Sequence, residues 1–229
     1  MTAHRIWRER VGDDGPLVIL SHGWGDTSAT WDAQVRVLAA RARVVRWDLL
    51  GHGRSDAPDD PSAYSRDAAL GDLEALVGDE PTVVLVGHSF GGQLSLAFAL
   101  RHPRRVTGLG LVATGPGYRD PAGRAEWNRG VERRAAQCER ESQRALAHAI
   151  RGFVTQHDSS IIDDAPSIRV PTAVIVGAKD RQFLAAADWF ERKLPAVTKR
   201  VIADAGHAVQ VHQPEPVNRA LSDLLDATS

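Results

Sequence analysis

The sequence predicts an α/β protein: a mostly parallel sheet with helices on both faces. Three observations carry this expectation. Short β-branched apolar runs alternate with segments of helical periodicity along most of the chain. Those runs are almost continuously apolar, as strands covered on both faces require. Several of them end in glycine-punctuated loops that carry Ser, His or Asp, and the C-terminal ends of strands in such a sheet share one edge, where ligands bind.

Composition sets the outer bounds. The 229 residues suffice for one large domain, or for a domain with a modest insertion. Apolar residues make up 43% and charged residues 25%, an ordinary soluble balance. A net charge of −1 gives no reason to expect a polyanionic partner such as nucleic acid. The single cysteine, Cys138, excludes an internal disulfide and fits a reducing compartment. Residues 1–8 lack the apolar stretch of a signal peptide, and no run approaches the roughly 18 apolar residues of a membrane span. The expectation is a cytoplasmic protein that engages neither nucleic acid nor membrane.

In chain order, residues 4–11 predict an opening strand that turns at Gly12-Asp13-Asp14-Gly15-Pro16. Residues 17–20 predict a buried strand running into Ser21-His22-Gly23-Trp24-Gly25. Helical spacing covers 29–42, with Trp31, Val35 and Leu38 on one face. The next strand, 44–47, ends in the loop Asp48-Leu49-Leu50-Gly51-His52-Gly53-Arg54-Ser55-Asp56. A helix over 64–77 stops at Gly78 or Pro81. Residues 82–87 then form a strand, 90–101 a helix ended by His102-Pro103, and 106–113 another strand. The alternation breaks over 115–166, a charged, alanine-rich helical region with no strong strand. It resumes with a strand at 172–176, a helix at 183–194, a strand at 199–202 and a closing helix at 214–225, with Pro214 near its start.

The most informative stretch is Gly87-His88-Ser89-Phe90-Gly91, set between the strand at 82–87 and the helix at 90–101. The pattern G-x-S-x-G in that setting is a nucleophile elbow: the serine sits on a strained turn, clear of the sheet. Gly87 and Gly91 flank it because a Cβ at either position would collide with the neighbouring strand or helix. The Phe90 N–H lies at a helix N-terminus, where partial positive charge favours an anion. A serine nucleophile needs a base, and the base an orienting acid, in the chain order Ser, acid, His. Asp180 closes a strand in Gly177-x-x-Asp180, and His207 closes the following one in Gly206-His207. His212 competes for the role of base, and Asp204 and Asp120 compete for that of acid. The blander reading of Ser89 is a helix N-cap, and that of His207 a buried, hydrogen-bonded imidazole. His22 and His88 read as packing or loop-fixing residues, and Gly51-His52-Gly53 as a tight turn.

Together these residues resemble the α/β-hydrolase fold superfamily over nearly the whole chain: His22-Gly23-Trp24, Asp48-x-x-Gly51-x-Gly53-x-Ser55, Gly87-x-Ser89-x-Gly91, Gly177-x-x-Asp180, and Gly206-His207 before Pro214-Glu215. The resemblance implies Ser89 as nucleophile, His207 as general base and acid, and Asp180 as its partner. It implies an oxyanion hole made of the backbone N–H groups of Trp24 and Phe90. Loss of one such donor costs about 100- to 1000-fold in turnover. It further implies a hydrolase core, 1–114 and 167–229, with a short helical cap, 115–166, inserted after the sixth strand. The short N-terminal segment predicts a leading hairpin reduced to one strand. His22-Gly23-Trp24-Gly25 is similar to the start of small-cap carboxylesterases of the pimeloyl-ester type, a motif shared with cofactor-free dioxygenases and other branches.

The implied activity is hydrolysis of a carboxylic ester, or related acyl bond of a small molecule, through an acyl-enzyme, with no metal or organic cofactor. The same triad serves thioesterases, lactonases and C–C bond hydrolases. The fold also serves cofactor-free dioxygenases, perhydrolases and non-enzymatic ligand receptors, so these alternatives stay open. Trp24 and Trp127 are the candidate substrate contacts, each with simple packing as its competing reading. The cap segment 119–151 holds eight arginines against five acids. That pattern reads first as a solvated face with pairs such as Glu141–Arg144, and second as a docking surface for an acyl carrier, a CoA or an acidic substrate. Gly108-x-Gly110-x-x-Ala113 lies inside a strand rather than at a strand-to-helix turn, which removes dinucleotide binding. No phosphate-binding loop, paired zinc histidines or partnered cysteine motif is present.

Overall fold

The computed structural model describes residues 4–228. Its elements run β1 (Arg8–Val11), β2 (Leu17–Ser21), α1 (Asp32–Leu38), β3 (Arg43–Trp47), α2 (Arg66–Val77), β4 (Val83–His88), α3 (Phe90–Arg101) and β5 (Val106–Val112). Then come α4 (Pro121–Arg140), α5 (Arg144–Ala149), α6 (Ser160–Asp164), β6 (Thr172–Gly177), α7 (Arg181–Lys193), β7 (Val197–Ile202), α8 (Val209–His212) and α9 (Pro214–Asp226). The strands form one seven-stranded sheet in the order β1-β3-β2-β4-β5-β6-β7. Only β1 is antiparallel, to β3.

Successive side chains of a strand point to opposite faces, and the core divides accordingly. Leu17, Ile19, Val83, Leu85, Val174 and Val176 pack with α2, α3 and α7 on one face. Their neighbours Val18, Leu20, Val84, Val86, Ala173 and Ile175 pack with α1 and α9 on the other. Gly108 and Gly110 exist for that second face. A Cβ at Gly108 would stand 2.6 Å from Thr228, and one at Gly110 would stand 3.0 Å from Leu221, so the bare strand lets the C-terminal helix lie close. Helix α2 starts where Ser65 accepts the Ala68 N–H at 3.0 Å, and it stops at Gly78, whose φ is 54°.

Several expectations need correction. The inserted helices follow the fifth strand, not the sixth, because a single strand, β1, precedes β2 among the described residues. The predicted helix over 29–42 splits into a 3-10 turn, Ser28–Trp31, and a shorter α1. The pair Glu141–Arg144 is not formed. Helix α4 ends at Arg140, Ser142 turns the chain with φ 60°, and Arg144 begins α5, so no common helix sets the two side chains one turn apart. Arg144 reaches Asp59 instead, and Glu141 accepts from Gln137 at 2.8 Å. No helix among the described residues is long and apolar enough to cross a membrane.

Asp48 anchors the loops that leave β2 and β3. Its carboxylate is 1% exposed and accepts the Ser28 N–H at 2.6 Å and the Arg54 N–H at 2.9 Å. Burial pushes its pKa upward, but the backbone donors favour the charged form more strongly, and the net shift is downward. A depressed carboxylate adds stability above its unfolded pKa, ~3.9, and loses it as pH falls through the lower folded value. Asp48→Asn is therefore expected to lose about 1–3 kcal/mol at pH 7 in urea unfolding, because one buried N–H exchanges its charged acceptor for a donor. The gap between variant and wild type should hold from pH 7 to about 4 and shrink below that. A gap that persists undiminished in acid would show that the carboxylate charge is not its source.

Candidate active site

Ser89 joins β4 to α3 with φ 53° and ψ −117°, in the left-handed region that a non-glycine residue enters only when its surroundings hold it there. Three contacts do so. The Ser89 N–H donates to the Val112 carbonyl at 2.9 Å, its carbonyl accepts from Thr114 Oγ1 at 2.7 Å, and the same carbonyl accepts the Gly92 N–H at 3.0 Å. The flanking glycines behave as predicted. A Cβ at Gly87 would lie 2.1 Å from the Gly91 carbonyl oxygen, and one at Gly91 would lie 2.3 Å from that of Ser21. The turn thus closes only with hydrogen atoms at both places.

Asp180 and His207 end the two strands that follow the insertion, and they meet. His207 Nδ1 lies 2.8 Å from Asp180 Oδ2. The Asp180 side chain is 6% exposed and that of His207 is 44% exposed, so a buried acid holds a solvent-reachable imidazole. Two further rings fix that imidazole. Phe183 stacks on it at 5.0 Å between centroids, and His88 lies at 4.7 Å. His88 Nε2 is 3.0 Å from the His207 carbonyl, which ties the histidine loop to the residue next to Ser89. Burial, helped by His207, pushes the pKa of His88 down to about 4, so it is neutral and donates that proton. Ser89 and His207 form no direct hydrogen bond among the described residues. Catalytic bonds in unliganded sites are often long or poorly aligned.

The competing residues are engaged elsewhere. His212 is exposed at the end of α8. Asp204 is exposed and pairs with Lys179 at 3.0 Å. Asp120 caps α4, accepting the Gly123 N–H at 2.9 Å.

The loop after β2 passes beside the serine: a Cβ built at Gly23 would meet the Ser89 Cβ at 2.9 Å. Trp24 follows in that loop, and Phe90 opens α3, whose first N–H groups have no helical acceptor. Trp24 and Phe90 are thus each one residue removed from a close neighbour at this turn, Trp24 from Gly23 and Phe90 from Ser89 itself. The Trp24 indole bridges the core to a third apolar cluster formed by Val131, Ala135, Cys138, Ala147 and Ile150. Its Nε1 donates to the Leu146 carbonyl at 2.9 Å. Trp127 lies in the same cluster and donates to the Val154 carbonyl at 2.9 Å, which fastens α4 to the segment after α5. Cys138 is buried there. Among the described residues no group of three or more His, Cys, Asp or Glu is placed to hold a metal ion.

Two residues beside the site had no sequence signal. Phe183 reads as ordinary apolar spacing in α7. Phe153 belongs to a π-helical turn, Ile150–Val154, that no local pattern announces, and its ring lies parallel to that of Phe90 at 5.1 Å and 7°.

Known proteins agree with this architecture. The chain is 27% identical to the "Putative 2-succinyl-6-hydroxy-2,4-cyclohexadiene-1-carboxylate synthase" of Bacillus subtilis strain 168, over 95% of this chain and 94% of that protein. It is 36% identical to a pimeloyl-[acyl-carrier protein] methyl ester esterase of Nitrosomonas europaea, over 52% of this chain and 44% of that relative. The solved structure of MenH from S. aureus superposes with a TM-score of 0.85 at 19% identity, covering 100% of this chain and 99% of that one. A family model described as alpha/beta hydrolase fold matches residues 16–162, and the chain belongs to that family.

Proposed function

We propose that this hydrolase-fold protein is a serine esterase that cleaves a carboxylic ester, or a closely related acyl bond, of a small molecule. The observation that carries the reading is the 2.8 Å bond between buried Asp180 and exposed His207, whose carbonyl is held by His88, the residue before a serine at φ 53°. In this reading His207 takes the proton of Ser89 as Oγ attacks the carbonyl carbon. Asp180 keeps the imidazole proton on Nδ1 and stabilises the imidazolium. The Trp24 and Phe90 N–H groups receive the oxyanion. His207 then protonates the leaving alcohol, and water, deprotonated by the same imidazole, releases the acid from Ser89. The helices of 115–166 act as a cap over this edge. Trp24 contacts the acyl group from the loop, while Trp127 serves mainly to hold the cap. The cysteine content fits a cytoplasmic protein.

A second reading follows from the Bacillus subtilis relative, whose name describes synthesis of a succinyl-bearing cyclohexadiene carboxylate. A substrate with several carboxylates calls for free cations at the cap. Here Arg119 pairs with Asp163, Arg129 with Glu126, Arg144 with Asp59, and Arg151 with Glu132 and Glu139. Arg133 also reaches Glu126, so five of the eight cap arginines are held by acids, which favours a neutral ester. Arg124, Arg134 and Arg140 form no ion pair among the described residues and leave docking of an acyl carrier, a CoA or an acidic substrate open on this face.

With p-nitrophenyl acetate, Ser89→Ala is expected to lower kcat by at least about 10⁴-fold while the melting curve is kept. Intact-mass spectra of the wild type should show an added acetyl group on Ser89 early in turnover. A folded Ser89→Ala variant with wild-type turnover would sink the assignment. Asp180→Asn is expected to cost about 10⁴-fold in kcat, because the amide stabilises the wrong imidazole tautomer. Trp24→Phe separates indole from backbone. The main-chain donor survives, so kcat should stay close to wild type. Loss of the bond to Leu146 should cost about 1 kcal/mol, or roughly 2–4 °C in Tm by calorimetry.

A further inference from the structure

Two buried imidazoles stand behind the loop that carries Trp24. The rings of His22 and His52 lie 5.3 Å apart, and the residues are 0% and 4% exposed. Each accepts a main-chain N–H at Nε2: Leu49 donates to His22 and Gly25 to His52, both at 3.0 Å. A ring nitrogen that accepts carries no proton, so the proton of each neutral ring is on Nδ1. There each ring donates in turn, His22 to the Gly23 carbonyl at 2.7 Å and His52 to the Leu50 carbonyl at 3.0 Å. Burial keeps both rings neutral, with the pKa of His52 pushed down to about 3.

The bonds have a consequence for the loop between them. Gly23 is gripped at its carbonyl and Gly25 at its N–H, while the N–H of Trp24, between the two, donates to no described residue. Gly25 has φ 79°, so the loop leaves Trp24 through a conformation that its own backbone does not enforce. The His52 ring also lies near-parallel to that of Phe153, at 6.5 Å and 20°, and Phe153 stacks on Phe90. One column of rings therefore connects Phe90 to the imidazole that holds Gly25, the residue after Trp24.

We propose that His52 is a positioning residue for the oxyanion hole: by accepting the Gly25 N–H at Nε2, it aims the Trp24 N–H at the carbonyl oxygen bound over Ser89. The assignment rests on the esterase reading above. It goes beyond a turn-fixing role, which requires only the bond from Nδ1 to Leu50.

Asparagine and glutamine separate the two bonds. The Asn amide can replace Nδ1 toward Leu50 but is too short to reach Gly25, whereas the Gln oxygen reaches the place of Nε2. His52→Asn is expected to lower kcat for p-nitrophenyl acetate about 10- to 100-fold with KM little changed, the scale of a misaimed but present donor. Its affinity for an aryl trifluoromethyl ketone, which adds Ser89 Oγ to form a tetrahedral oxyanion, should fall by the same factor. His52→Gln should restore most of both. Wild-type kcat and ketone affinity in His52→Asn would overturn the proposal, as would a loss confined to KM or one that His52→Gln fails to rescue. If His52→Asn does not fold, ¹⁵N spectra of the wild-type imidazoles decide: an unprotonated Nε2 at His52 is required, and a protonated one overturns the proposal. Ser89→Ala run alongside keeps the two ideas apart. Undiminished turnover there removes the esterase reading itself, whereas an inactive Ser89→Ala beside an unaffected His52→Asn removes only the role of His52.

Discussion

The chain reversal at Ser89 is the constraint on which the other parts depend. A residue with a Cβ is held at positive φ there, at a cost of about 1–3 kcal/mol. The turn cannot relax, because three elements fill the space around it. Gly87 meets the first turn of α3, Gly91 meets the end of β2, and Val112 and Thr114, at the end of β5, bond both sides of the Ser89 peptide. The central strands β2, β4 and β5 must therefore sit side by side and in register at their C-terminal ends. The apolar pairs on both faces of the sheet supply the burial that offsets the strain.

The rest of the site follows from strand direction. Parallel strands deliver every βα loop to one edge, so Asp180 after β6 and His207 after β7 arrive near Ser89 although far from it in sequence. Direction alone does not make these loops stiff. Buried polar groups with nearly all their bonds made do that. Asp48 gathers two backbone N–H groups, His22 and His52 each bridge two main-chain groups, and His88 joins the elbow to the histidine loop. In a low-dielectric interior such bonds are strong and their loss is costly, which suits loops that must hold a fixed geometry before substrate arrives.

This division explains what could be read from the sequence. Strand and helix identities were legible because the apolar periods are clean, and the bounds of α3 and the end of α2 fall where His102-Pro103 and Gly78 place them. The convergence of Asp180 and His207 was legible because both follow strands at glycine turns. Contacts set by three-dimensional closeness left no trace in the chain. His52 looks like the middle of a tight turn, and only the fold puts its Nε2 against Gly25, 27 residues earlier. Phe183 looks like core, yet it stacks on His207. The Glu141–Arg144 expectation failed because a spacing rule holds only within one helix, and a positive φ at Ser142 ends that helix between them.

The segment over the site is bound into it more deeply than a loose lid would be. Gly152 lets the π turn press on the Tyr64 backbone, where a Cβ would stand 2.0 Å from the carbonyl oxygen. The widened turn then places Phe153 between Phe90 and His52. On the other side, Leu146 of α5 accepts the indole proton of Trp24. The helical insertion therefore touches both Phe90 and Trp24, one through a ring stack and one through a hydrogen bond. A change of side chain there alters the packing on Trp24 and, through the ring of Phe153, the packing on Phe90 and His52. In this small hydrolase fold, the inserted helices and the turn at Ser89 therefore share one set of packed contacts.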